Sequence, residues 1–321
     1  MKSNLKICFF SENNFSGMVP RSHPNMRTEF AWICSLNAFH HQIHKVHEIK
    51  SNAFDIGIII IPKNLDHLLN YPLIDNLKNA CGKIVFMQEG PNWHWQDYSI
   101  NTQCWFLNLI KNCDALLTHN SSDLNYYSGL TSKPCFLMPS LIIEDGLKNI
   151  KKQERKNLII GGNFCSWYGG HDSYIASQVL NCDKFSTSMG RMREGEQGFE
   201  DLKHLPFSFW LDWMNRLNNF RYAIHLMRTH AAGTFALNCA YLGVPCVGYY
   251  GLDSQELCHP NLTVDVGDLK SAKEKLLKLQ DDLNFYEECS FMSKQNYKKH
   301  FSEDKYLLKM SRALSSINNE N

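Results

Sequence analysis

The sequence predicts an α/β protein built of two tandem Rossmann-like, doubly wound domains, and three observations support this fold class. The chain has 321 residues, more than the roughly 100–200 of one typical domain. In both halves, short β-branched and aromatic runs alternate with longer amphipathic segments, the pattern of parallel strands joined by helices. Midway, residues 148–156 (KNIKKQERK) are charged and poor in core residues, which is typical of a linker.

The element order follows from this alternation. The near-continuous isoleucine run within 54–61 is typical of a parallel strand buried on both faces. In the first half we predict strands at 5–10, 54–61, 83–88, 115–118 and 135–138, and helices at 26–47, 64–80, 105–111 and 122–128. In the second half we predict strands at 157–160, 184–188, 222–226, 246–250 and around 264, helices at 173–180, 207–217 and 234–242, and interrupted helix over 269–301.

The predicted domain boundaries are those of the two alternating halves. The first domain spans 1–147, the linker 148–156 and the second domain 157–288. Residues 289–321 form a C-terminal helical segment that we expect to pack back on the first domain.

Composition excludes several classes of protein. The 33 Lys and Arg residues nearly balance 32 Asp and Glu, and a net charge of +1 gives no global field for a polyanion. No apolar run approaches the roughly 18 residues needed to cross a bilayer, and the N-terminus lacks a cleavage-site pattern. The 12 cysteines are scattered without a C-x-x-C pair, as in a reducing compartment. We therefore expect a cytoplasmic protein without a transmembrane segment, and a peripheral position at the inner membrane face stays open.

The most informative segment follows the strand predicted at 222–226. Ligands of parallel α/β sheets bind at the carboxyl ends of the strands. Here Gly233 and Thr234 begin a predicted helix, whose N-terminus offers free backbone N–H groups and a positive dipole end. The segment therefore fits a diphosphate. The alternative is an ordinary helix–strand unit, in which the small residues only pack the helix on the sheet.

This segment resembles the C-terminal domain of GT-B glycosyltransferases, whose nucleotide-sugar motif runs H-x-G-x-x-x-x-x-E, then G-V-P, then D-Q. His230 matches the family's His, and residues 243–245 match G-V-P. Asn238 stands where the family has a Glu that holds the ribose, and Asp253 and Gln255 lie near the pair that holds donor-sugar hydroxyls. The resemblance implies that these residues bind the donor, while Asn238 lacks the charge of a carboxylate.

Further donor-binding candidates lie on neighbouring loops. Gly162 and Asn163 follow the first strand of the second half, where the family often binds donor phosphate; a tight turn is the alternative. Arg191, Arg193 and Arg228 follow strands and are candidates to neutralise a leaving diphosphate, with surface ion pairs as the alternative. No dinucleotide or P-loop glycine motif occurs in the sequence.

The long loop after the first strand supplies the acceptor-binding candidates. It contains Gly17, Arg21 and Arg27 and leads to Glu29. Long loops in compact domains are often functional. In the GT-B family this region faces the interdomain cleft and the acceptor, which is the role the resemblance implies here.

Two more strand ends in the first half combine aromatic and titratable side chains. Glu89 and His94 follow the strand predicted at 83–88 and are our catalytic candidates, because either group can accept a proton from an acceptor hydroxyl. Trp93 offers a face on which a sugar ring can stack, and His119 follows the strand at 115–118. A helix cap or surface acid is the alternative for Glu89.

We expect no metal site and no cofactor. His40 and His44 lie one turn apart on the helix predicted at 26–47, but no further ligand cluster accompanies them, so a polar helix face is the better interpretation. The absence of an Asp-x-Asp triplet argues against the metal-dependent GT-A class.

The resemblance therefore implies a metal-independent hexosyl- or pentosyltransferase. It would move a sugar from a UDP- or GDP-type donor to a glycan, a lipid-linked acceptor or another hydroxyl, with inversion and retention both open. Two alternatives stay open. One is a phage-type glycosyltransferase acting on a hydroxymethylated DNA base, and the other is a catalytically silent GT-B-like binding subunit.

Overall fold

The chain is described here from a computed structural model, in which residues 5–62, 65, 67–87, 90–150, 153–165, 167–187 and 198–319 are described. Its contacts divide the chain into two units. Unit 1 comprises Met1–His23, Thr28–Pro139 and Glu303–Asn321, and unit 2 comprises Pro24–Arg27 and Ser140–Ser302. The domain boundaries drawn from the sequence stay predictions.

Unit 1 is built on a mainly parallel sheet. Its strands are β1 (Ile7–Ser11), β2 (Gly17–Met18), β3 (Phe39–Gln42), β4 (Phe54–Ile59), β5 (Cys81–Met87), β6 (Ala115–Thr118) and β7 (Cys135–Leu137). Among the described residues the strand order is β2-β3-β1-β4-β5-β6-β7, and the short β2 is antiparallel to β3. All five residues of β1 are buried, as expected for a strand covered on both faces.

Unit 2 is built on a parallel sheet. Its strands are β8 (Lys156–Ile160), β9 (Lys184–Thr187), β10 (Leu202–Leu205), β11 (Phe220–His225), β12 (Cys246–Tyr249) and β13 (Thr263–Val264). Their order in the described part of the chain is β10-β9-β8-β11-β12-β13. The predicted α/β class with two parallel sheets is therefore confirmed.

Helices cover both sheets. They are α1 (Glu29–Ser35), α2 (Leu73–Ala80), α3 (Ile100–Asn112), α4 (Ser121–Leu130), α5 (Gly170–Ser177), α6 (Trp210–Leu217), α7 (Thr234–Leu242), α8 (Asp253–Cys258), α9 (Leu269–Asp281), α10 (Leu283–His300) and α11 (Glu303–Asn319). In unit 1, Phe86 of β5 packs with Phe106 of α3 and Tyr127 of α4. Among the described residues, no helix has both the length and the apolar character needed to cross a bilayer.

The single helix predicted at 26–47 is wrong. Helix α1 ends at Ser35, and Asn37 has a φ of 51°, a left-handed conformation that a continuing helix does not contain. The following residues form β3, which pairs with β1, and then a 3₁₀ segment at Ile43–Glu48. His40 lies in the strand and His44 in the 3₁₀ segment, so the predicted helical face with both histidines does not exist.

The helix predicted at 64–80 is also too long. Helix α2 begins at Leu73, directly after Pro72. A proline disfavours helical backbone in the residue before it, and it cannot donate an N–H to a preceding turn. Strands β2, β3 and β10 and helix α8 were not predicted from the sequence, whereas α11 lies within the helical segment predicted at 289–321.

Candidate functional site

The strand order in unit 2 reverses between β8 and β11. The chain leaves β8 towards β9 and β10 and then returns to β11 on the other side of β8. In doubly wound sheets, ligands bind outside the carboxyl ends of the strands at this reversal. The residues at that point are the glycine turn after β8, His225 at the end of β11, and the loop 226–233 that leads to α7.

The glycine turn lies directly against His225 and the first turn of α7. The Gly161 N–H donates to the Ile224 carbonyl at 2.8 Å. A β-carbon on Gly161 would lie 2.6 Å from the Phe235 ring, and one on Gly162 would lie 2.8 Å from His225 Nε2. Gly162 also has a φ of 95°. Only glycine fits this turn, and its absence of a side chain lets the backbone approach the imidazole edge.

Helix α7 presents its N-terminus at the same place. Its bounds, Thr234–Leu242, are those predicted from the sequence. The Leu237 N–H donates to the Gly233 carbonyl at 3.2 Å. The N–H groups of Thr234, Phe235 and Ala236 precede this bond and have no intrahelical acceptor. This end of the helix can therefore hold an anion.

His225 is a site residue that the sequence analysis missed. The residue is 7% exposed, and its ring makes an edge contact with Phe235 at 5.2 Å between centroids. Among the described residues, its Nε2 has no hydrogen-bond partner. Burial lowers the pKa of His225 to about 4, so the ring is neutral at physiological pH. The signal in the sequence was a histidine closing the mainly apolar strand β11.

Arg228 is held by an acid on the first turn of α5. Its Nε and Nη2 donate to Asp172 Oδ2 at 3.1 and 2.7 Å, and the Tyr249 hydroxyl donates to the same oxygen at 3.2 Å. Burial alone would raise the pKa of Asp172, but the bonds and charge of Arg228 and the Tyr249 hydroxyl lower it. The Arg228 side chain is 49% exposed. A positive charge is thus fixed beside the strand ends while part of it faces solvent.

His230 ties the loop before α7 to the loop after β12. Its Nδ1 is hydrogen-bonded to the Gly251 carbonyl. A carbonyl oxygen only accepts, so Nδ1 carries the hydrogen and Nε2 is the nitrogen left for another contact. The Ser254 hydroxyl donates to the Gly233 carbonyl at 2.8 Å and makes a second link between these loops.

The other predicted donor residues have differing environments. Asn238 lies in α7 and is 6% exposed, and Asp253 is the first residue of α8. Gln255 is 1% exposed, and its Nε2 donates to the Cys246 carbonyl of β12 at 2.9 Å. That bond commits the Gln255 amide to packing α8 on the sheet. Donor contact by Asn163, Asn238, Asp253 and Gln255 stays a prediction.

Glu29 of unit 1 belongs to a buried polar cluster. Ser11 Oγ lies 3.2 Å from Glu29 Oε1 and 2.9 Å from His40 Nε2. His40 Nδ1 donates to the Phe15 carbonyl at 2.9 Å, and burial lowers the His40 pKa to about 4. Ser11 ends β1, beside the point where the order of this sheet reverses between β1 and β4. The cluster fixes the start of the loop predicted to bind the acceptor.

The remaining acceptor-binding candidates on that loop have partners of their own. Gly17 lies in β2, paired with His40 across the ladder. Arg21 donates to both carboxylate oxygens of Glu303 at 2.9 and 2.6 Å in an exposed ion pair. Arg27 belongs to unit 2, where its Nη2 donates to the Ser208 carbonyl at 2.9 Å. Their acceptor contacts stay predictions.

The aromatic candidates follow β5 and β6. Trp93 and His94 lie in a 3₁₀ segment, Asn92–Asp97, and His94 Nε2 is 3.1 Å from the Tyr98 hydroxyl. His119 is buried, stacks on Trp32 at 4.2 Å and donates from Nδ1 to the Met138 carbonyl at 2.8 Å. Burial lowers the His119 pKa to about 4.

Three predicted residues lie outside the described part of the chain: Glu89, Arg191 and Arg193. Within the described residues, no group of three or more His, Cys, Asp and Glu side chains is arranged to hold a metal ion.

Comparisons with known proteins identify the fold. No family model matches the sequence, and no curated protein matches it. The structure of HepE from Anabaena in complex with UDP-glucose has a TM-score of 0.70 at 10% identity, covering 98% of this chain and 100% of that one. Sucrose-phosphate synthase from Thermosynechococcus elongatus has a TM-score of 0.65 at 9% identity, covering 98% and 99%.

TarM of S. aureus has a TM-score of 0.66 at 10% identity over 87% of this chain. This chain spans only 57% of the TarM chain's length. At such identities the likeness establishes the fold alone. The chain has the two-sheet α/β fold of the GT-B glycosyltransferases.

Proposed function

We propose that this chain is a glycosyltransferase that moves a sugar from a nucleotide-sugar donor to an acceptor hydroxyl. The observation that carries the proposal is the convergence of three features where the strand order of unit 2 reverses. These are the glycine turn, the N-terminus of α7 and the half-exposed Arg228. A diphosphate needs this combination of backbone N–H groups and fixed positive charge.

Solved structures with this fold favour the same ligand class. HepE was solved with UDP-glucose, and a pneumococcal O-GlcNAc transferase, GtfA, was solved with UDP and GlcNAc. We propose a UDP- or GDP-type donor and a hexosyl or pentosyl group. The acceptor would be a glycan, a lipid-linked sugar or another hydroxyl compound, encountered in the cytoplasm.

The transfer makes one bond and breaks another. The acceptor oxygen forms a bond to the anomeric carbon, and the bond from that carbon to the β-phosphate oxygen breaks. The proton of the acceptor hydroxyl goes to a base, for which Glu89 and His94 are the proposed groups. The charge that develops on the leaving diphosphate is stabilised by the α7 N–H groups and Arg228. This chemistry requires neither a cofactor nor a metal ion.

Thermal shift and turnover assays test the proposal. The full chain is incubated with UDP, GDP, CMP and the corresponding sugar nucleotides, because a bound nucleotide raises the melting temperature by mass action. Release of nucleoside diphosphate is then measured with a panel of acceptors. Failure of every nucleotide to stabilise the chain would refute the proposal. Nucleotide binding without turnover, even by donor hydrolysis, would instead favour a silent binding subunit, which the Asn at 238 also suits.

A charge variant probes the site itself. Thr234→Glu places a carboxylate at the first position of α7, where it favours the helix but repels a diphosphate. We expect an unchanged or higher melting temperature without ligand and weaker nucleotide binding. Ser121→Glu, at the first position of α4 in unit 1, is the matched control and should leave binding unchanged. Equal nucleotide affinity in both variants would contradict the assignment of the anion site.

A further inference from the structure

His225 has a buried polar atom that the fold does not use. Four buried histidines of the described residues differ in this respect. His40 uses both ring nitrogens, on Ser11 and on the Phe15 carbonyl. His119 and His259 each bond one backbone carbonyl and leave the other ring nitrogen without a partner among the described residues. Within the same residues His225 Nε2 also has no partner, although the residue is 7% exposed, and what distinguishes this atom is its place beside the glycine turn and the first turn of α7. A buried polar group without a partner costs free energy, so it requires an explanation.

The position of His225 indicates what its Nε2 faces. The ring closes β11 at the reversal of the strand order, between the glycine turn and the first turn of α7. Gly162 is the residue that approaches Nε2, and the Phe235 ring covers another side of the imidazole.

The chemistry of this group suits an anion. The imidazole is neutral near pH 7 because burial disfavours its charged form. A neutral imidazole can carry its hydrogen on Nε2 and donate one hydrogen bond. The neighbouring N–H groups at the start of α7 are donors too. These N–H donors are complementary to phosphate oxygens and not to the donor groups of a nucleobase.

We propose that His225 donates a hydrogen bond from Nε2 to the diphosphate of the donor nucleotide, and so trades stability of the empty protein for nucleotide affinity. This inference rests on the proposed function. The Phe235 ring and the Gly162 backbone hold the imidazole in place, and the bond is made only when the nucleotide is bound. His225 is therefore a binding residue for the leaving group.

The variant His225→Phe tests this. It removes the donor while filling a similar volume, so we expect the affinity for UDP to fall by about tenfold to a hundredfold, the loss of one hydrogen bond to a charged group. The affinity for uridine, which has no phosphate, should not change. The melting temperature without ligand should stay equal or rise, because the unpartnered polar atom is gone. Calorimetric titration with UDP and with uridine measures both affinities.

Two further variants keep the test decisive. His225→Gln retains an N–H donor and should recover part of the UDP affinity lost in His225→Phe. His204→Phe is the matched control, because His204 Nε2 also lacks a partner but lies in the outermost strand, with Nδ1 on Ser186. It should leave UDP affinity unchanged.

The outcomes separate the two proposals. If the unmodified chain binds no nucleotide, the proposed function fails. If it binds UDP and His225→Phe binds UDP equally well, or loses UDP and uridine affinity alike, the inference about His225 is overturned while the proposed function stands. If His225→Phe does not fold, a selective partial loss of UDP affinity in His225→Gln supports the inference, and unchanged UDP affinity or an equal loss of UDP and uridine affinity in that variant overturns it.

Discussion

Acidification should destabilise this protein well before its carboxylates are protonated. The perturbation is a change from pH 7.5 to pH 5.0. Burial lowers the pKa of four histidines to about 4, whereas an unfolded histidine has an ordinary value of 6.5. They are His40 and His119 in unit 1 and His225 and His259 in unit 2. Between these two pKa values, the unfolded chain binds protons that the folded chain does not.

The sign and the size follow from proton linkage. The unfolded state binds more protons between pH 6.5 and 4, so the free energy of unfolding falls as the pH falls through that window. A pH of 5 is about 1.5 units below the pKa of an unfolded histidine, so each buried histidine lowers the free energy of unfolding by about 2 kcal/mol at that pH. Two histidines in each unit cost about 4 kcal/mol, a large part of the 5–15 kcal/mol typical of a domain. For units of this size we expect melting temperatures roughly 10 °C lower at pH 5.

Urea denaturation at pH 7.5 and 5.0, at fixed ionic strength, measures the effect. His225→Phe should reduce the pH-dependent loss of unit 2 by about 2 kcal/mol, because one titrating group is removed. A free energy of unfolding that is the same at both pH values, or an equal loss in His225→Phe, would refute the reasoning.

Three further predictions concern contacts that hold unit 2 together, all measured by urea denaturation. Gly169→Ala should lower the free energy of unfolding by about 3 kcal/mol or more, because Gly169 has a φ of 65° and a β-carbon would collide with the Leu226 carbonyl. Gly129→Ala is the control and should be neutral or stabilising, because nothing lies within 4 Å of a β-carbon at that position. Arg155→Met should lower the free energy of unfolding by about 2–4 kcal/mol, because the guanidinium donates to carbonyls at the C-terminus of α7. A decrease below about 1 kcal/mol would contradict this role. Asp172→Asn should lower the free energy of unfolding by about 1–2 kcal/mol, because the carboxylate accepts three hydrogen bonds. An unchanged midpoint of urea denaturation would show that water replaces these bonds.

The elements that the sequence predicted well are those with strong local signals. Helix α7 is correct at both ends because Gly233 precedes it and Gly243, with a φ of 68°, closes it. The central strands are correct because their apolar runs are long enough to be buried on both faces. The loops at their carboxyl ends were therefore located correctly, and donor contact by Gly162, Arg228 and His230 on these loops stays a prediction.

The elements that the sequence predicted poorly depend on tertiary contacts. The segment from Phe39 to Gln42 contains two histidines and a glutamine, and it is a strand because it pairs with β1. Its polar groups are compensated by partners distant in sequence, such as Ser11 on His40. No periodicity in the sequence reveals such partners, so the local helical spacing led to the wrong prediction of a helix.

The site was predicted in part for the same reason. Spacing after G-V-P pointed to Gln255 as a sugar contact, but the fold directs its amide to the Cys246 carbonyl beneath α8. His225 went unnoticed because a single histidine at the end of an apolar strand has no motif. Its significance lies in a missing hydrogen bond, which only a structure reveals.

These differences from the GT-B motif affect which part of the donor supplies the binding free energy at the proposed site. Asn238 stands in place of a carboxylate, and Gln255 Nε2 donates to the Cys246 carbonyl of the sheet, so we expect both residues to hold the ribose and sugar less strongly than the family's groups do. The hydrogen-bond donors at the reversal of the strand order are Arg228, which is paired with Asp172, the α7 N–H groups and the proposed Nε2–H of His225. Since each of these favours phosphate oxygens, the diphosphate should supply most of the binding free energy and the nucleoside little. A site of this kind would tolerate different bases and sugars more readily than the loss of a phosphate.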